Sequence, residues 1–398
     1  MTPRPWMLVP LLLCPLLAIA AEPAPPPPAA PPRSAPPPPP EINATAYVLM
    51  DFDTGDILAE KNIDEKRPPA SLTKIMTSYI AAREIDSGRI HLTDDVPISV
   101  NAWKHAAPEE RQSAMFIREG TTVKLEDLLR GVIIQSGNDA TVAVAEYIGG
   151  SEDAFVNLMN QEAKKLGMFG TNFVNSDGLP DPNHYSTVRD LATLARALIR
   201  DHPTHYAIYA EKSFRYNNID QPNRNRLLWR DRTVDGVKTG HTAEAGFCLI
   251  ASALRDGMRL VSVVMGTDSD EARMRESQKL LSYGYRFFET HKLYEPGVML
   301  RTAEVWYGEE NEVQLGVSAP VYVTIPRGRY GDLKAETDVE RVIRAPIAVG
   351  DPFGELRVSL DDKVVVKVPL TAQNAIAEAG FFKRLWHSIY LFFRELLS

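Results

Sequence analysis

Between residues 67 and 88, apolar side chains recur with the period of a helix. They stand at relative positions 0, 3, 4, 7 and 8, which are Leu72, Ile75, Met76, Tyr79 and Ile80. This spacing lines one face of an α-helix with side chains that can be buried together. Pro68 and Pro69 exclude an earlier helical start, and Gly88 is a typical stop signal. The pattern therefore predicts a helix with one buried stripe that begins close to Ser71.

Strand and helix patterns alternate along the rest of the chain up to about residue 290. The segment TAYVLMDFDTGDILAEKN predicts two strands joined by the turn Asp53-Thr54-Gly55-Asp56. GFCLIASAL and MRLVSVVMG predict a second hairpin, and residues 124–149, 187–201 and 270–291 have helical periods. Because the strands come as hairpins rather than as βαβ units, the expected fold class is α+β, an antiparallel sheet with helices.

From residue 291 to about residue 370 the pattern changes to short segments of alternating polarity. APVYVTIP, GELRVSL and KVVVKVPL are examples, and Gly, Pro and Asp turns separate them. Closely spaced short strands of this kind are typical of all-β domains. We therefore expect a second, smaller domain here, a β-sandwich, which carries no catalytic cluster.

The tail, residues 375–398, is predicted to be an amphipathic helix. Its charged stripe excludes a membrane-spanning helix, which needs about 20 mostly apolar residues. A helix rich in Phe and Trp with basic residues opposite predicts attachment to a membrane interface instead. The alternative is a tail packed on the β domain or in a partner's groove. The apolar side comprises Phe381, Phe382, Leu385, Trp386, Ile389, Tyr390, Phe392, Phe393, Leu396 and Leu397, and the polar side Lys383, Arg384, His387, Ser388, Arg394 and Glu395.

Residues 1–20 have the organisation of a secretory signal peptide. A basic residue precedes a short apolar run, and small residues follow at Ala18 and Ala20. Cys14 is not expected to carry a lipid, because Leu13 precedes it where a small residue is required. The mature chain is therefore expected to be exported. Residues 21–42, which are mostly Pro and Ala, predict a polyproline linker ahead of the fold.

Composition narrows the classes of function. The 398 residues are 44% hydrophobic, which suits one large core plus a smaller domain. The net charge of −8 disfavours a nucleic-acid partner, which would require a basic face. Removal of the signal peptide leaves Cys248 as the only cysteine, so no internal disulfide is expected. The eight histidines form no H-E-x-x-H motif, and we expect neither a metal nor another cofactor.

Three polar motifs interrupt the hydrophobic patterns. Ser71 and Lys74 form S-x-x-K on one turn of the predicted helix, where the lysine can reach the serine hydroxyl. Ser136-Gly137-Asn138 breaks an apolar helical pattern, and Lys238-Thr239-Gly240 ends a strand before a hairpin. Taken singly, S-x-x-K is more often an ordinary solvated first turn, S-G-N a turn or helix cap, and K-T-G the end of a strand. In this order, in an exported chain, they match the motif set of penicillin-binding proteins and related β-lactamases.

The chain resembles the low-molecular-mass penicillin-binding proteins of the D-alanyl-D-alanine carboxypeptidase family. The similarity is carried by AYVLMDFDTGDILAEKN, PASLTKIMTSYI, LLRGVIIQSGNDA, NSDGL and VDGVKTGHT, and it extends to the β domain and the terminal helix. It implies a β-lactamase-like transpeptidase domain at residues 43–290. It also implies a serine carboxypeptidase that removes the terminal D-alanine from peptidoglycan stem pentapeptides and is inhibited covalently by β-lactams. Because the second motif is not S-D-N and no deacylating loop glutamate is identifiable, fast β-lactam hydrolysis is not expected.

The resemblance and the chemistry of the side chains together assign catalytic roles. Ser71 is the expected nucleophile, and Lys74, held neutral by burial beside Lys238, is the expected base. Ser136 is expected to relay the proton to the leaving amine. Asn138 is expected to orient both Lys74 and the substrate amide.

Substrate binding is assigned by the same resemblance to the surroundings of the third motif. The backbone N–H groups of Ser71 and His241 are expected to hold the oxyanion, and His241 is not expected to bind a metal. Gly240, which lacks a Cβ, is expected to let the substrate lie against the strand as an added β-strand. The positions expected to meet the substrate's terminal carboxylate are Lys238, Thr239, Arg224 and Arg273. For Arg224 and Arg273, the competing interpretation is an arginine on the solvated surface.

Two other functions stay open at the level of the sequence. A D,D-endopeptidase or transpeptidase would use the same acyl-enzyme and differ only in the acceptor or in the cross-link that is cleaved. A cell-wall binding protein without turnover would keep the fold but would not need intact polar motifs. The expected location is the periplasm, with the tail attached to the outer face of the cytoplasmic membrane.

Overall fold

The structure is a computed structural model that describes residues 35–105 and 113–397. The predicted signal peptide and residues 21–34 of the predicted linker lie outside the described residues. The strands are β1 (Ala46–Asp51), β2 (Ile57–Lys61), β3 (Asp95–Pro97), β4 (Thr122–Lys124), β5 (Ser213–Tyr216), β6 (Ile219–Pro222), β7 (Val234–Thr242), β8 (Gly246–Arg255), β9 (Met258–Thr267), β10 (Phe288–Tyr294), β11 (Met299–Trp306), β12 (Glu312–Gly316), β13 (Val321–Pro326), β14 (Lys334–Val339), β15 (Ile343–Arg344), β16 (Pro352–Leu360) and β17 (Lys363–Ala372). The α-helices are α1 (Lys74–Asp86), α2 (Val100–Lys104), α3 (Leu125–Arg130), α4 (Asn138–Gly149), α5 (Glu152–Lys165), α6 (Val188–Asp201), α7 (Pro203–Tyr206), α8 (Leu227–Arg230), α9 (Asp270–Phe287) and α10 (Phe381–Leu397).

The central sheet is antiparallel, with the strand order β2-β1-β9-β8-β7. The pairs β1-β2 and β8-β9 are the two predicted hairpins. Asp256 and Gly257 adopt positive φ angles of 50° and 83° in the second turn, as a two-residue hairpin loop requires. Within the described part of the chain, β7 pairs only with β8, so the strand that carries the third motif lies at the edge of the sheet.

Helices cover both faces of this sheet, because successive side chains of a strand point to opposite sides. Val48 belongs to the larger hydrophobic cluster, with Ile75 of α1 and Leu191 of α6. Its neighbour Leu49 packs on the other face with Leu280 of α9. The sheet is therefore the middle layer, and α9 lies on the side opposite α1 and α6.

The helix predicted from the first pattern is present, but it is buried on more than one stripe. It begins as the 3₁₀ turn Ala70–Thr73, continues as α1, and is followed by Gly88 with a φ of 72°. Polar residues of α1 are buried as well: Thr77 Oγ1 donates to the Ser176 carbonyl at 2.7 Å. The expectation of one buried stripe was wrong because α1 passes through the core and has protein on several sides.

The C-terminal part of the chain is all-β, as predicted. A six-stranded sheet has the order β14-β16-β17-β12-β11-β15, and β10 pairs with β13 in a second sheet. Threonine side chains connect this part to the central sheet. Thr290 Oγ1 donates to Asp51 Oδ2 at 2.6 Å, and the hydroxyls of Thr54 and Thr324 are 3.0 Å apart. These bonds join β10 and β13 to the turn after β1.

The terminal helix α10 lies against the β part through polar residues and also through Leu391, which is buried, and Tyr390, whose ring stacks on that of Trp306 at 5.6 Å. His387 Nδ1 accepts the backbone N–H of Tyr307 at 2.8 Å, and Lys383 Nζ donates to the Glu309 carbonyl at 2.9 Å. The tail thus packs on the protein, and an apolar side remains turned outward. No helix in the described ranges has both the length and the apolar character needed to cross a membrane. The outward side chains, which are 46% to 85% exposed, are Phe381, Phe382, Leu385, Trp386, Ile389, Tyr390 and Phe392.

Candidate active site

Ser71 lies in the 3₁₀ turn immediately before α1. Lys74 follows one turn later, so its side chain runs alongside Ser71 and its Nζ is 3.1 Å from Oγ. Two further oxygens surround the same nitrogen, Asn138 Oδ1 at 2.7 Å and the Asp177 carbonyl oxygen at 2.5 Å. The three donors of an ammonium group are therefore matched by three oxygens, on a side chain that is only 1% exposed.

Burial lowers the pKa of Lys74 from 10.5 to about 8. Desolvation disfavours the ammonium form more strongly than the nearby carboxylates of Asp177 and Asp139 favour it. The difference corresponds to about 3 kcal/mol, since one pKa unit is about 1.4 kcal/mol. An amine with this pKa is neutral often enough near physiological pH to accept a proton from Ser71.

The second motif lies where one helical segment gives way to the next. The π-helical segment Gly131–Gln135 ends at Ser136, whose φ is 66°, and α4 begins at Asn138. The chain changes direction at Ser136, and the side chains of Ser136 and Asn138 lie on the wall of a cleft that Ser71 also lines. Within the described residues the Ser136 hydroxyl makes no hydrogen bond, although the residue is only 3% exposed. The hydroxyl is therefore available to a ligand in the cleft.

Asp139 holds the start of α4 in place. Its carboxylate accepts backbone N–H groups from Met115 at 2.8 Å, Phe116 at 2.8 Å and Ile117 at 3.1 Å. Burial raises the pKa of Asp139, and these hydrogen bonds act in the opposite direction. The carboxylate thereby ties the second motif to the segment that precedes β4.

The third motif brings β7 against the turn that carries Ser71. A Cβ on Gly240 would lie 3.0 Å from the Pro69 carbonyl oxygen and 3.2 Å from Leu72 Cγ. The space that a side chain would need is therefore occupied by the protein's own turn. We expected the missing Cβ to make room for a substrate strand, but the structure shows that it allows β7 to approach the turn.

Lys238 is buried behind the cleft wall and is only 2% exposed. Its pKa lies well below the usual value because of desolvation, to which the positive charges of Lys74, Arg224 and Arg273 add. Its neighbour Thr239 lines the cleft. An anion in the cleft would offset the repulsion among these cationic groups.

The two predicted arginines differ in their surroundings. Arg273, on α9, is 7% exposed, and its Nη1 donates to the carbonyls of Gly240 at 3.1 Å and Cys248 at 3.3 Å. The surface interpretation is therefore wrong for Arg273. Arg224 is more exposed, and its side chain has no ion pair within the described residues. Partial desolvation at the cleft wall and the charge of Arg226 lower the pKa of Arg224, and both predicted arginines line the cleft.

His241 follows the third motif on the exposed end of β7. Its ring centroid is 4.0 Å from that of Phe247, and desolvation together with the charge of Arg273 lowers its pKa. In the ranges 35–105 and 113–397, no three His, Cys, Asp or Glu side chains come close enough to hold a metal ion. His241 also lines the cleft.

The cleft has a volume of about 1050 Å³ and brings the three motifs together. Lys74 and Lys238 lie behind its wall, where Lys74 contacts Ser71 directly. The other predicted site residues line it, and they are Ser71, Ser136, Asn138, Arg224, Thr239, Gly240, His241 and Arg273.

The sequence analysis missed two site residues, Asp177 and His105. Asp177 accepts from Lys74 through its carbonyl, and its carboxylate lies 3.2 Å from His105 Nδ1. Burial alone would raise the pKa of Asp177, but the His105 hydrogen bond and the charge of Lys74 outweigh it and lower the pKa. The same hydrogen bond raises the pKa of His105. The signal available in the sequence was the NSDGL segment, which contains Asp177.

Comparison with known families places the chain in a family. The sequence profile described as D-alanyl-D-alanine carboxypeptidase matches residues 33–269. This chain belongs to the D-alanyl-D-alanine carboxypeptidase family. A second profile, the C-terminal domain of penicillin-binding protein 5, matches residues 288–378. The family expected from the motifs is thus confirmed.

Individual relatives support the same assignment. The chain is 46% identical to D-alanyl-D-alanine carboxypeptidase DacC of Escherichia coli strain K12 over 357 residues, which cover 89% of each protein. The crystal structure of penicillin-binding protein 5 from Haemophilus influenzae is 45% identical, with a TM-score of 0.82, covering 85% of this chain and 99% of that one. Penicillin-binding protein D2 of Listeria monocytogenes, solved with cefotaxime bound, is 29% identical, with a TM-score of 0.57, covering 62% of this chain and 99% of that one. The predicted α+β fold class is confirmed by these neighbours.

Proposed function

We propose that this protein is a serine-type D-alanyl-D-alanine carboxypeptidase that removes the terminal D-alanine from peptidoglycan stem pentapeptides. The observation that carries the proposal is the contact of 3.1 Å between Lys74 Nζ and Ser71 Oγ at the wall of the cleft. A lysine whose pKa is about 8 can act as a base there. Family membership supports the choice of substrate.

In the first step, Ser71 Oγ bonds to the carbonyl carbon of the penultimate D-alanine, and its proton passes to Lys74 Nζ. The backbone N–H groups of Ser71 and His241 stabilise the oxyanion, and a donor of this kind typically contributes about 3 to 4 kcal/mol. The start of a helix beside Ser71 adds about 0.3 to 1 kcal/mol for the developing negative charge.

Collapse of the tetrahedral intermediate breaks the C–N bond and leaves an ester on Ser71. The Ser136 hydroxyl passes a proton to the departing D-alanine amine and is reprotonated from Lys74. Water then attacks the ester while Lys74 accepts its proton. Collapse of the second tetrahedral intermediate breaks the C–O bond and releases the tetrapeptide, and Ser71 Oγ takes the proton back from Lys74. Asn138 supports both steps by holding Lys74 in place.

Recognition of the terminal carboxylate falls to the cationic wall of the cleft. Lys238 and Arg224 supply positive charge, together with Arg273, whose charge is partly balanced by its ion pair with Asp270, and Thr239 supplies a hydroxyl donor. Desolvation lowers the pKa of Lys238 and the neighbouring positive charges add to this effect, and a carboxylate that enters the cleft offsets the part due to repulsion. A peptide that ends in a free carboxylate is therefore favoured over an amidated one.

Covalent labelling and product analysis test this function. Purified protein should bind a fluorescent penicillin covalently, with the label mapped to Ser71, and should release one D-alanine from the pentapeptide. Ser71→Ala should lose both activities, and Ser87→Ala, a substitution at the C-terminus of α1, is the matched control. A label on any other residue, or cross-linked dimers as the main product, would contradict the carboxypeptidase assignment.

We also propose that the exported protein is held at the outer face of the cytoplasmic membrane by α10. The outward side of this helix exposes 66% of Phe381, 85% of Phe382 and 68% of Trp386. Aromatic side chains are typical of helices that lie in the membrane interface. The polar side contacts the β part, so an apolar surface is presented without loss of those hydrogen bonds.

Removal of residues 381–398 tests the attachment. The cut follows Gly380 because Ile376 and Ala379 are buried and pair with the β part. The shortened protein should leave the membrane fraction and keep its labelling by penicillin. If it still sedimented with membranes while labelling normally, the anchor assignment would be wrong.

A further inference from the structure

A second cavity lies between α10 and the β part and has a volume of about 470 Å³. One wall, from the β part, carries Arg344 and Tyr307, and the other wall, from α10, carries Phe381 and Leu385. None of these side chains lines the catalytic cleft. The cavity is thus a separate feature, with a cationic and an apolar wall.

Arg344 is the unusual group in this cavity. Arg344 is exposed, and within the described residues its guanidinium has neither an ion pair nor a hydrogen bond. It lies over the Tyr307 ring, with 5.9 Å between Cζ and the ring centroid. Arg329 is bound by Asp361 and Arg357 by Glu355, whereas the nearby Arg341 is exposed and, in the described part of the chain, unpaired like Arg344. What distinguishes Arg344 from Arg341 is that it lines the cavity. The donors of Arg344 therefore remain open to an oxygen-rich ligand.

The other polar groups of the cavity also suit an anion. Ser388 Oγ donates to the Arg384 carbonyl at 3.0 Å and lies 3.4 Å from Tyr307 Oη, so the Tyr307 hydroxyl is the one left to donate to a ligand. The Arg384 guanidinium is 2.7 Å from the Glu378 carboxylate, so this pair is neutral overall. With Arg344 added, the cavity has a net charge of +1. Guanidinium and hydroxyl donors together are the usual partners of a phosphate group.

The apolar wall indicates what kind of molecule carries that anion. Phe381 is 66% exposed and Leu385 49% exposed, and both continue into the outward side of α10. A free anion would leave these side chains in water. A lipid could cover them with its acyl chains while its headgroup entered the cavity.

We propose that this cavity binds the phosphate-bearing headgroup of an anionic membrane phospholipid, with Arg344 as its main ligand. The proposal rests on the attachment of α10 to the membrane. It adds a selectivity that the apolar side alone would not confer, because apolar burial does not distinguish anionic from zwitterionic lipids. The bound lipid would also join α10 to the β part and so limit the orientations of the enzyme.

Vesicle binding by the full-length mature protein tests the proposal. The probes are vesicles of phosphatidylglycerol mixed with phosphatidylcholine, vesicles of phosphatidylcholine alone, and inorganic phosphate. The test variant is Arg344→Ala, and Arg344→Lys keeps the charge. Arg341→Ala is the matched control, because Arg341 is an exposed arginine without an ion pair in the described structure that lies three residues away and outside the cavity.

We expect Arg344→Ala to weaken binding to the anionic vesicles roughly fivefold, the contribution of one basic residue near an anionic surface. Binding to phosphatidylcholine and labelling by penicillin should not change, Arg344→Lys should recover part of the loss, and Arg341→Ala should bind as the unmodified protein does. The proposal is overturned if Arg344→Ala has no effect or if Arg341→Ala loses as much. It is also overturned if inorganic phosphate raises the melting temperature of the unmodified protein but not that of Arg344→Ala, while anionic and phosphatidylcholine vesicles are bound equally well. A protein that binds neither kind of vesicle would instead refute the membrane attachment.

Discussion

The role of general base assigned to Lys74 predicts how the acylation rate depends on pH. Only the neutral amine can accept the Ser71 proton, so the acylation rate should follow the fraction of deprotonated Lys74. With a pKa of about 8 instead of 10.5, that fraction near pH 7 is roughly one in ten instead of one in 3,000. Burial therefore contributes about 300-fold to the rate at this pH.

The assay is stopped-flow measurement of the second-order rate of acylation by a fluorescent penicillin across a pH series. The rate should rise with pH and level off above about pH 8, where Lys74 is mostly neutral. Lys74→Arg is the matched control, because a guanidinium keeps the positive charge and has no neutral form at accessible pH. This variant should acylate slowly at every pH. A flat profile in the unmodified protein would refute the assignment of Lys74 as the base.

Asp177→Asn provides a second perturbation of the same group. The Asp177 carboxylate raises the pKa of Lys74 against the effect of burial, whereas its backbone carbonyl binds Nζ directly. An asparagine removes the charge and keeps the carbonyl, so the midpoint of the profile should move to lower pH. A midpoint that stays in place or moves to higher pH would show that the titrating group is not Lys74.

Three further substitutions test the surroundings of the site. Gly240→Ala should slow acylation about tenfold or more, because its Cβ presses on the turn that carries Ser71, and penicillin labelling measures this. Asp139→Asn should lower the free energy of unfolding in urea by about 1 to 3 kcal/mol, since buried backbone N–H groups lose a charged acceptor. His105→Gln should destabilise most between pH 3.8 and 6.5, where His105 is charged and Asp177 ionised. Because the pKa of His105 is raised in the folded protein, this loss should shrink as pH rises through that pKa in a series of thermal melts.

The features that local periodicity encodes were predicted from the sequence. The S-x-x-K pair lies on one helical turn, so the contact between Ser71 and Lys74 follows from spacing alone. The two hairpins of the central sheet follow from alternation and turn residues. The order of the motifs then identified the family, which supplied the remaining site residues.

Contacts between distant segments had no local signal. Lys74 and Asp177 are separated by more than a hundred positions, and nothing in the NSDGL segment indicates which side chain its carbonyls will meet. The same limit applies to α1, whose apolar stripe predicted one buried face. Its polar residues Thr77 and Ser78 are buried because partners arrive from elsewhere, a carbonyl at Ser176 and an imidazole at His205.

The position of Ser71 depends on how closely other backbones approach its turn. Gly240 brings β7 so near that a Cβ would stand 3.0 Å from the Pro69 carbonyl. A second segment approaches even more closely, because a Cβ on Gly178 would stand 1.9 Å from the Ala70 carbonyl, and the φ of 87° at Gly178 also requires glycine. Two backbones therefore pack on the residues just before Ser71 without an intervening side chain. Because the Gly178 segment also supplies the Asp177 carbonyl to Lys74, one segment helps to position both nucleophile and base.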